Sequence, residues 1–287
     1  MKNSRASEID TFGGQAVIEG VMMRNKTHYA IACRKPNGKI VVKKEKIKSV
    51  THRLPFLAKP LVRGVVGLFE MMKLGMKALN YSANQQAKKN EKISNKEMGV
   101  TVAIALFLSI AIFVVIPFFL TRWITTDRGF WFNLIDGIIR LTFFLLYIII
   151  ISFMADVKRL FQYHGAEHKT VYCIENKKKL VPENVKAFST LHPRCGTSFL
   201  VIVLGLSIVI FSLIKTPVWY LNLSARILLI PIVAGVSYEL LKIGAKYQKN
   251  WLFKLLIQPG LWVQKITTKE PDKKQIEVAI AALEALL

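Results

Sequence analysis

The residues best suited to chemistry lie in two short motifs that flank one polar stretch of the chain. The first motif reads HGAEH over residues 164–168, and the second contains His192 and Cys195. On a helix, His164 and His168 share one face because residues four apart are neighbours. Imidazole and thiolate groups are preferred ligands of Zn²⁺. We therefore predict a zinc site, or another divalent-metal site, formed by His164, His168, His192 and Cys195.

Glu167 lies on nearly the same helical face as the two histidines. It is the predicted catalytic residue, as a general base beside a metal, with a ligand or hydrogen-bonding role as the alternative. The H-x-x-E-H spacing matches inverzincin peptidases, but the pattern is short and Gly165 weakens the helix that it requires. A closed four-ligand site would be structural and an open one catalytic. The sequence leaves both open, together with histidines that only hydrogen-bond to backbone.

Four apolar stretches surround these motifs and set the fold class. The chain has 287 residues, of which 52% are hydrophobic, and a formal net charge of +23. These properties coexist when apolar residues are concentrated in lipid-facing segments, and about 20 such residues cross a bilayer. We predict a mainly α polytopic membrane protein with about four transmembrane helices. The predicted spans are roughly residues 99–120, 131–154, 198–214 and 224–241.

The distribution of basic residues predicts the orientation in the membrane. The region before the first span has 20 Lys and Arg against 7 Asp and Glu, whereas the two short links hold few, among them Arg128 and Lys215. Basic segments stay on the cytosolic side. The first 60 residues also lack the apolar segment of a secretory signal. We predict a multi-pass protein with both termini and the long connection in the cytosol.

The N-terminal region is predicted to be a small antiparallel β meander. The patterns indicate strands at residues 14–23, 28–34 and 39–47, with a turn signal at Pro36-Asn37-Gly38. In the first strand, Gln15 and Glu19 would project from one face. That face is either solvated or directed towards the histidine cluster.

Helices with mixed apolar and charged faces complete the predicted cytosolic surface. Residues 60–81 and 251–266 are predicted to lie in the bilayer interface, with a break in the second helix at Pro259. Asp272 and Gln275 predict a capped amphipathic helix at the end of the chain.

The predicted organisation has six parts. In chain order these are residues 1–59 (β unit), 60–98 (interfacial helix and linker), 99–155 (first transmembrane hairpin), 156–197 (cytosolic connection with the His/Glu/Cys cluster), 198–241 (second transmembrane hairpin) and 242–287 (interfacial segment and C-terminal helix).

Three charged residues within the predicted spans are further site candidates, since intramembrane charges tend to be functional or paired. Asp136 and Arg140 are four residues apart, which favours a local ion pair. Glu239 either faces the histidine cluster or reaches the cytosolic interface beside Lys242. Arg226 lies at the edge of the fourth span. A transporter ranks third among the functions, because three charged residues inside four spans provide few groups for a transport pathway.

The basic excess leaves several partners open. It orients the chain in the bilayer, and it can attract anionic lipid or a polyanion such as ribosomal RNA. No motif indicates sequence-specific nucleic-acid binding. The first hypothesis is metal-dependent action on a membrane-associated substrate. The second is a non-enzymatic factor that docks on the translocon, the ribosome or a membrane-protein quality-control complex.

Several motifs resemble the signatures of the YqhQ-like bacterial membrane family. They are FGGQAVIEGVMMR at residues 12–24, YHGAEHK at 163–169, HPRCGTS at 192–198, and the tail segments at 270–272 and 275–279. The resemblance covers nearly the whole chain. It implies a protein of the bacterial plasma membrane, in a family of unknown function whose members are often described as metal-dependent enzymes. That description rests on the same His, Glu and Cys residues.

Overall fold

The computed structural model describes residues 12–52, 54–87, 94–126, 129–214, 216, 218–246 and 250–287. Within these ranges the chain is mainly helical, as predicted. The expectations for the first 11 residues and for Arg128 and Lys215 fall outside the described residues.

The N-terminal region forms a four-stranded antiparallel sheet in the order β1–β2–β3–β4. The strands are Gly13–Val17 (β1), Gly20–Arg24 (β2), His28–Arg34 (β3) and Ile40–Lys46 (β4).

The prediction of one strand over residues 14–23 is wrong. Val17 pairs with Gly20, so the chain reverses at Ile18-Glu19. Glu19 has a φ of 51°, in the left-handed region, where non-glycine residues are uncommon. The left-handed position of the turn is therefore occupied by Glu rather than by Gly or Asn, although Gly20 follows directly. Gln15 and Glu19 do not share one strand face.

Ten α-helices follow the sheet among the described residues, and a π-helical turn at Ala111–Val115 joins the second helix to the third. They are α1 (Val62–Gln86), α2 (Asn95–Ile110), α3 (Ile116–Ile124), α4 (Phe130–Ser152), α5 (Ala155–Glu175), α6 (Pro182–Lys186), α7 (Gly196–Ser212), α8 (Trp219–Lys246), α9 (Trp251–Thr267) and α10 (Lys273–Glu284). Pro259 lies inside α9, so the predicted break there does not form.

Within the described ranges, three helical stretches are long and apolar enough to cross a membrane by length and composition. They are Lys96–Ile124, Phe130–Ser152 and Trp219–Gly244. Gly196–Ser212 is also apolar but shorter. Large apolar side chains such as Phe107, Ile150 and Leu228 are mostly exposed on the three long stretches, which favours contact with lipid over contact with water.

The sheet is covered on both faces. On one face, Val21, Met23 and Ala32 pack with residues of α5 and α10. On the other face, Met22 and Ile31 pack with Ala78 of α1.

The start of α10 is fixed by the predicted capping box. Asp272 Oδ1 accepts a 2.7 Å bond from the Gln275 backbone N–H, and Gln275 Oε1 accepts a 2.9 Å bond from the Asp272 N–H. Helix α10 packs together with α5 against one face of the sheet and so holds α5 in place.

Candidate metal centre

Helix α5 carries three of the candidate residues and is separated from the end of α4 by two residues. It is continuous through Gly165, which sequence reasoning had regarded as a weakness. A Cβ at Gly165 would collide with the carbonyl oxygen of Lys269. The glycine therefore allows the segment after α9 to lie directly against α5.

His164, His168 and Cys195 converge at one point. The Nε2 of His164 lies 3.2 Å from the Sγ of Cys195, and the imidazole centroids of His164 and His168 are 4.4 Å apart. One ligand atom from each of the three residues lies within 4.8 Å of the others. This spacing allows the three to hold one metal ion.

Both histidines are anchored by the nitrogen that faces away from Cys195. The Nδ1 of His164 donates to the carbonyl of Thr267 at 2.9 Å, and the Nδ1 of His168 donates to that of Thr190 at 2.5 Å. A carbonyl only accepts, so each Nδ1 carries the hydrogen and a neutral ring keeps its lone pair on Nε2. Histidines that ligate metals are normally anchored in this way.

Cys195 is the N-cap residue of α7. Its sulfur accepts from the backbone N–H of Thr197 at 3.4 Å. The thiolate is the form of cysteine that binds metals, and this hydrogen bond fixes the sulfur on the side of the His164 imidazole.

Glu167 lies beside this cluster and is almost fully buried. Its Oε2 is 3.5 Å from the Nε2 of His168, and its carboxyl also accepts from the backbone N–H of Gly14 in β1. Burial raises the pKa of Glu167, while His164 and His192 act in the opposite direction. Burial lowers the pKa of His168 and of His192, which favours the neutral imidazole that a metal requires.

His192 lies next to the cluster but is directed elsewhere. Its ring centroid is 5.6 Å from that of His168. Its Nε2 is 3.4 Å from Glu175 Oε2, and its Nδ1 accepts from the backbone N–H of Arg194 at 3.3 Å. The structure therefore brings together three of the four predicted ligands, and both nitrogens of the fourth face other groups.

Sequence reasoning missed Gln264, which fixes the backbone of His192. The Gln264 side chain accepts from the N–H of His192 at 2.8 Å and donates to its carbonyl at 2.9 Å. Gln264 is fully buried, and the only available signal was an amide in the apolar stretch of α9, which also contains Gln258. No feature of the sequence could have identified the carbonyls of Thr190 and Thr267 as the anchors of the two histidines, because every residue has a backbone carbonyl.

The N-terminal candidates lie near α5 but outside the ligand set. The Gln15 side chain packs against Gly75 of α1. Glu19 forms an ion pair with Arg159 and accepts from the hydroxyl of Tyr163 at 3.2 Å.

The candidates in the apolar helices are all paired. Glu239 accepts from Arg63 of α1, with Nε–Oε1 at 2.7 Å. Asp136 and Arg140 form the predicted ion pair at 3.0 Å, and Arg226, which sequence reasoning had placed at the edge of the fourth span, also bonds Asp136 at 2.6 Å.

Comparison with known proteins gives a family without an assigned activity. Residues 59–287 match the family described as "Protein of unknown function (DUF1385)". The chain is 34% identical over 297 residues to "Uncharacterized protein YqhQ" of Bacillus subtilis (strain 168), covering 96% of this chain and 92% of that protein. No solved structure matches.

Proposed function

This chain belongs to the YqhQ-like family of proteins of unknown function, and we propose that it is a membrane-embedded zinc protein with metal-dependent activity. The metal is held by His164, His168 and Cys195, and Glu167 acts as the general base. The substrate is membrane-associated, either lipid-linked or a segment of a membrane protein. The single observation that carries this proposal is the convergence of the three ligands with both histidines anchored through Nδ1.

The donor set suits zinc. Two neutral imidazoles and one thiolate are common Zn²⁺ ligands, whereas Ca²⁺ and Mg²⁺ prefer oxygen. Three protein ligands with an open position are typical of catalytic zinc sites, and structural sites normally have four. In this proposal His192 is not the fourth ligand, a choice supported by the contacts of its nitrogens with Glu175 and the Arg194 backbone.

Glu167 is placed to move a proton beside the residues that would hold the metal. Its carboxylate approaches His168 from the side of β1, and its raised pKa brings it closer to the range in which a carboxyl serves as a base and then as an acid. A zinc ion with an open position polarises a carbonyl or phosphoryl oxygen. Together these features support hydrolysis or a related group transfer.

The membrane setting supports a membrane-associated substrate. We propose four spans, with α7 as the third, in a bacterial plasma membrane with both termini cytosolic. Only two residues separate α5 from α4, so the metal centre would lie within a few helical turns of the cytosolic bilayer surface. A soluble substrate would not require a site held at that depth.

Metal content tests the proposed ligands. Protein purified in detergent is expected to contain about one zinc per chain, and His168→Ala is expected to lose it. His28→Ala is the matched control, because His28 lies in β3 and contacts Thr27 rather than the cluster. A wild-type protein without stoichiometric metal, or a His168→Ala variant that retains it, contradicts the proposal.

Cobalt substitution tests whether the site is open. Co²⁺ in a site with a thiolate gives visible absorption that changes when an added anion enters an open position. We expect azide to change the spectrum of the wild-type protein. Glu167→Gln should still bind cobalt because Glu167 is not in the ligand set. A spectrum that does not respond to azide would indicate a closed, structural site.

A second candidate function rests on the lysines at the end of β4. Lys44 and Lys46 of β4 and Lys48, two residues beyond its end, are exposed. Lysines along an edge strand also protect that edge from aggregation. We propose as the alternative that this row docks on a translocon, a ribosome or a quality-control complex, or on anionic lipid. Salt-sensitive co-purification that is lost when all three become glutamine supports docking. Clean isolation at low salt contradicts it.

A further inference from the structure

A buried polar network lies among the apolar helices, away from the metal centre. Arg226 of α8 is fully buried and donates through each guanidinium nitrogen: Nε to Asn222 at 2.7 Å, Nη1 to Asp136 at 2.6 Å and Nη2 to Asn133 at 2.7 Å. These bonds join α8 to α4. The phenyl rings of Phe118, Phe132 and Phe211 surround the guanidinium carbon at 5.2–5.3 Å from their centroids.

Arg140 is the second cation of this network and is less well satisfied. It is 4% exposed, and its Nε lies 3.0 Å from the Asp136 oxygen that Arg226 also contacts. Within the described part of the chain, the Nε and Nη2 of Arg140 have no hydrogen-bond partner, and neither does Asp136 Oδ1. Fully buried donors without partners are costly, and more so when the group is charged.

The network also has an unbalanced charge. Two guanidinium groups share one carboxylate, which leaves a net charge of +1 on this set of three residues. An uncompensated charge in an apolar interior is far less stable than a paired one. A water molecule would satisfy the hydrogen bonds but would leave the charge.

The depth of Arg140 limits what can neutralise it. We propose above that α4 crosses the membrane, and Arg140 is ten residues from its first residue, Phe130. At 1.5 Å per residue this is about 15 Å, close to the middle of a hydrocarbon core of about 30 Å. A lipid phosphate lies well outside that level, whereas a small ion can be enclosed.

We propose that Arg140 and Arg226 form a binding site for a small monovalent anion of the halide class. The anion accepts from Arg140 Nη2 and brings the net charge of the network to zero. Asp136 holds the two guanidinium groups together, and Phe211, which lies under both cations, excludes water. This site is independent of the metal centre and of its proposed chemistry.

Anion-dependent stability tests the proposal. Full-length protein is purified in detergent without added phospholipid, and its Tm is compared in chloride and in gluconate at equal ionic strength. We expect chloride to raise Tm by roughly 2–4 °C. Arg140→Gln should remove that difference. Arg122→Gln should keep it, because Arg122 lies over Trp219 at the end of α3 and outside the network.

Three outcomes overturn the proposal. The first is an equal Tm of the wild-type protein in chloride and gluconate, which does not depend on whether any variant folds. The second is a chloride response that Arg140→Gln retains. The third is stabilisation by phosphatidylglycerol, lost in Arg140→Gln, without a chloride response, which would identify a lipid phosphate instead. Anomalous scattering from bromide beside Arg140 in a crystal would support it directly.

Discussion

The Nε2 of His164 and the Sγ of Cys195 lie 3.2 Å apart although 31 residues separate them in the chain. The histidine follows α4 and the cysteine begins α7, so the contact brings together the polypeptide on either side of the polar connection. Both groups are fixed by backbone, through Thr267 for the imidazole and Thr197 for the sulfur. The contact is therefore preorganised for a ligand of both groups.

Replacement of Cys195 by serine is expected to weaken zinc binding by more than roughly 100-fold, since the loss of an outer hydrogen bond alone costs 10–100-fold. Cys173→Ser is the control. Its thiol is also buried but faces the carbonyls of Lys178 and Lys179. Competition with a chromophoric chelator measures both affinities. Equal affinities in the two variants would exclude Cys195 as a ligand.

Replacement of Gly165 by alanine should disturb the metal centre without altering any ligand. The new methyl group would displace the carbonyl of Lys269, and with it the neighbouring Thr267 carbonyl that anchors His164. We expect a loss of zinc affinity of roughly 10–100-fold. Gly205→Ala is the matched change, because nothing lies within 4 Å of that position, and its zinc affinity should match the wild type. An unchanged affinity in Gly165→Ala would show that the anchor is dispensable.

The contact between β4 and α1 is expected to depend on pH through Glu45. Hydrogen bonds from Lys43, Lys77 and Tyr29 lower the pKa of Glu45 to about 2. A carboxyl with a lowered pKa stabilises the fold above its ordinary pKa of about 4.5 and loses that effect as the pH falls towards 2. We expect Glu45→Gln to cost a few tenths to about 1 kcal/mol at pH 7.

The difference in Tm between wild type and Glu45→Gln should therefore shrink between pH 4.5 and 2. The difference between the two Tm values is used because acid also protonates other groups, and it does so equally in both proteins. A difference that stays constant over this range would show that the carboxylate charge does not stabilise the contact.

The capping box of α10 predicts a measurable loss of stability. Asp272→Ala removes the bond to the Gln275 backbone and should cost about 1 kcal/mol. Lys273→Ala is the comparison, since its ion pair with Glu183 is long at 3.6 Å and exposed and should contribute less. Denaturant unfolding of the two variants measures both losses. A loss in Lys273→Ala as large as in Asp272→Ala would argue against the capping role.

Periodicity predicted most of the elements because the local pattern determines them. The strand at 28–34 and the helix capped by Asp272 form where expected. The hairpin at Ile18-Glu19 was missed because its turn depends on a strained glutamate rather than on a turn-forming residue. Tertiary contacts with Arg159 and Tyr163 hold that glutamate, and such contacts leave no local pattern.

The candidate site was predictable in its residue types but not in its orientations. Spacing alone placed His164 and His168 on one helical face. The direction of the His192 ring depends on its contact with Glu175 and on the hydrogen bonds that Gln264 makes to the His192 backbone. Gln264 is 72 positions from His192 in the chain. The predicted fourth span begins only at residue 224, which places Arg226 at its edge, whereas α8 begins seven residues before Arg226, at Trp219.

The hydrogen bond from His164 to Thr267 has a consequence for biosynthesis. The ribosome makes His164 103 residues before Thr267, and α7 and α8 are made in between. Until α9 has emerged and returned to α5, the carbonyl that orients the first imidazole is absent. If zinc binds as proposed, metal loading would follow the synthesis of α7 and α8. Zinc occupancy would then distinguish chains that have completed assembly from those that have not.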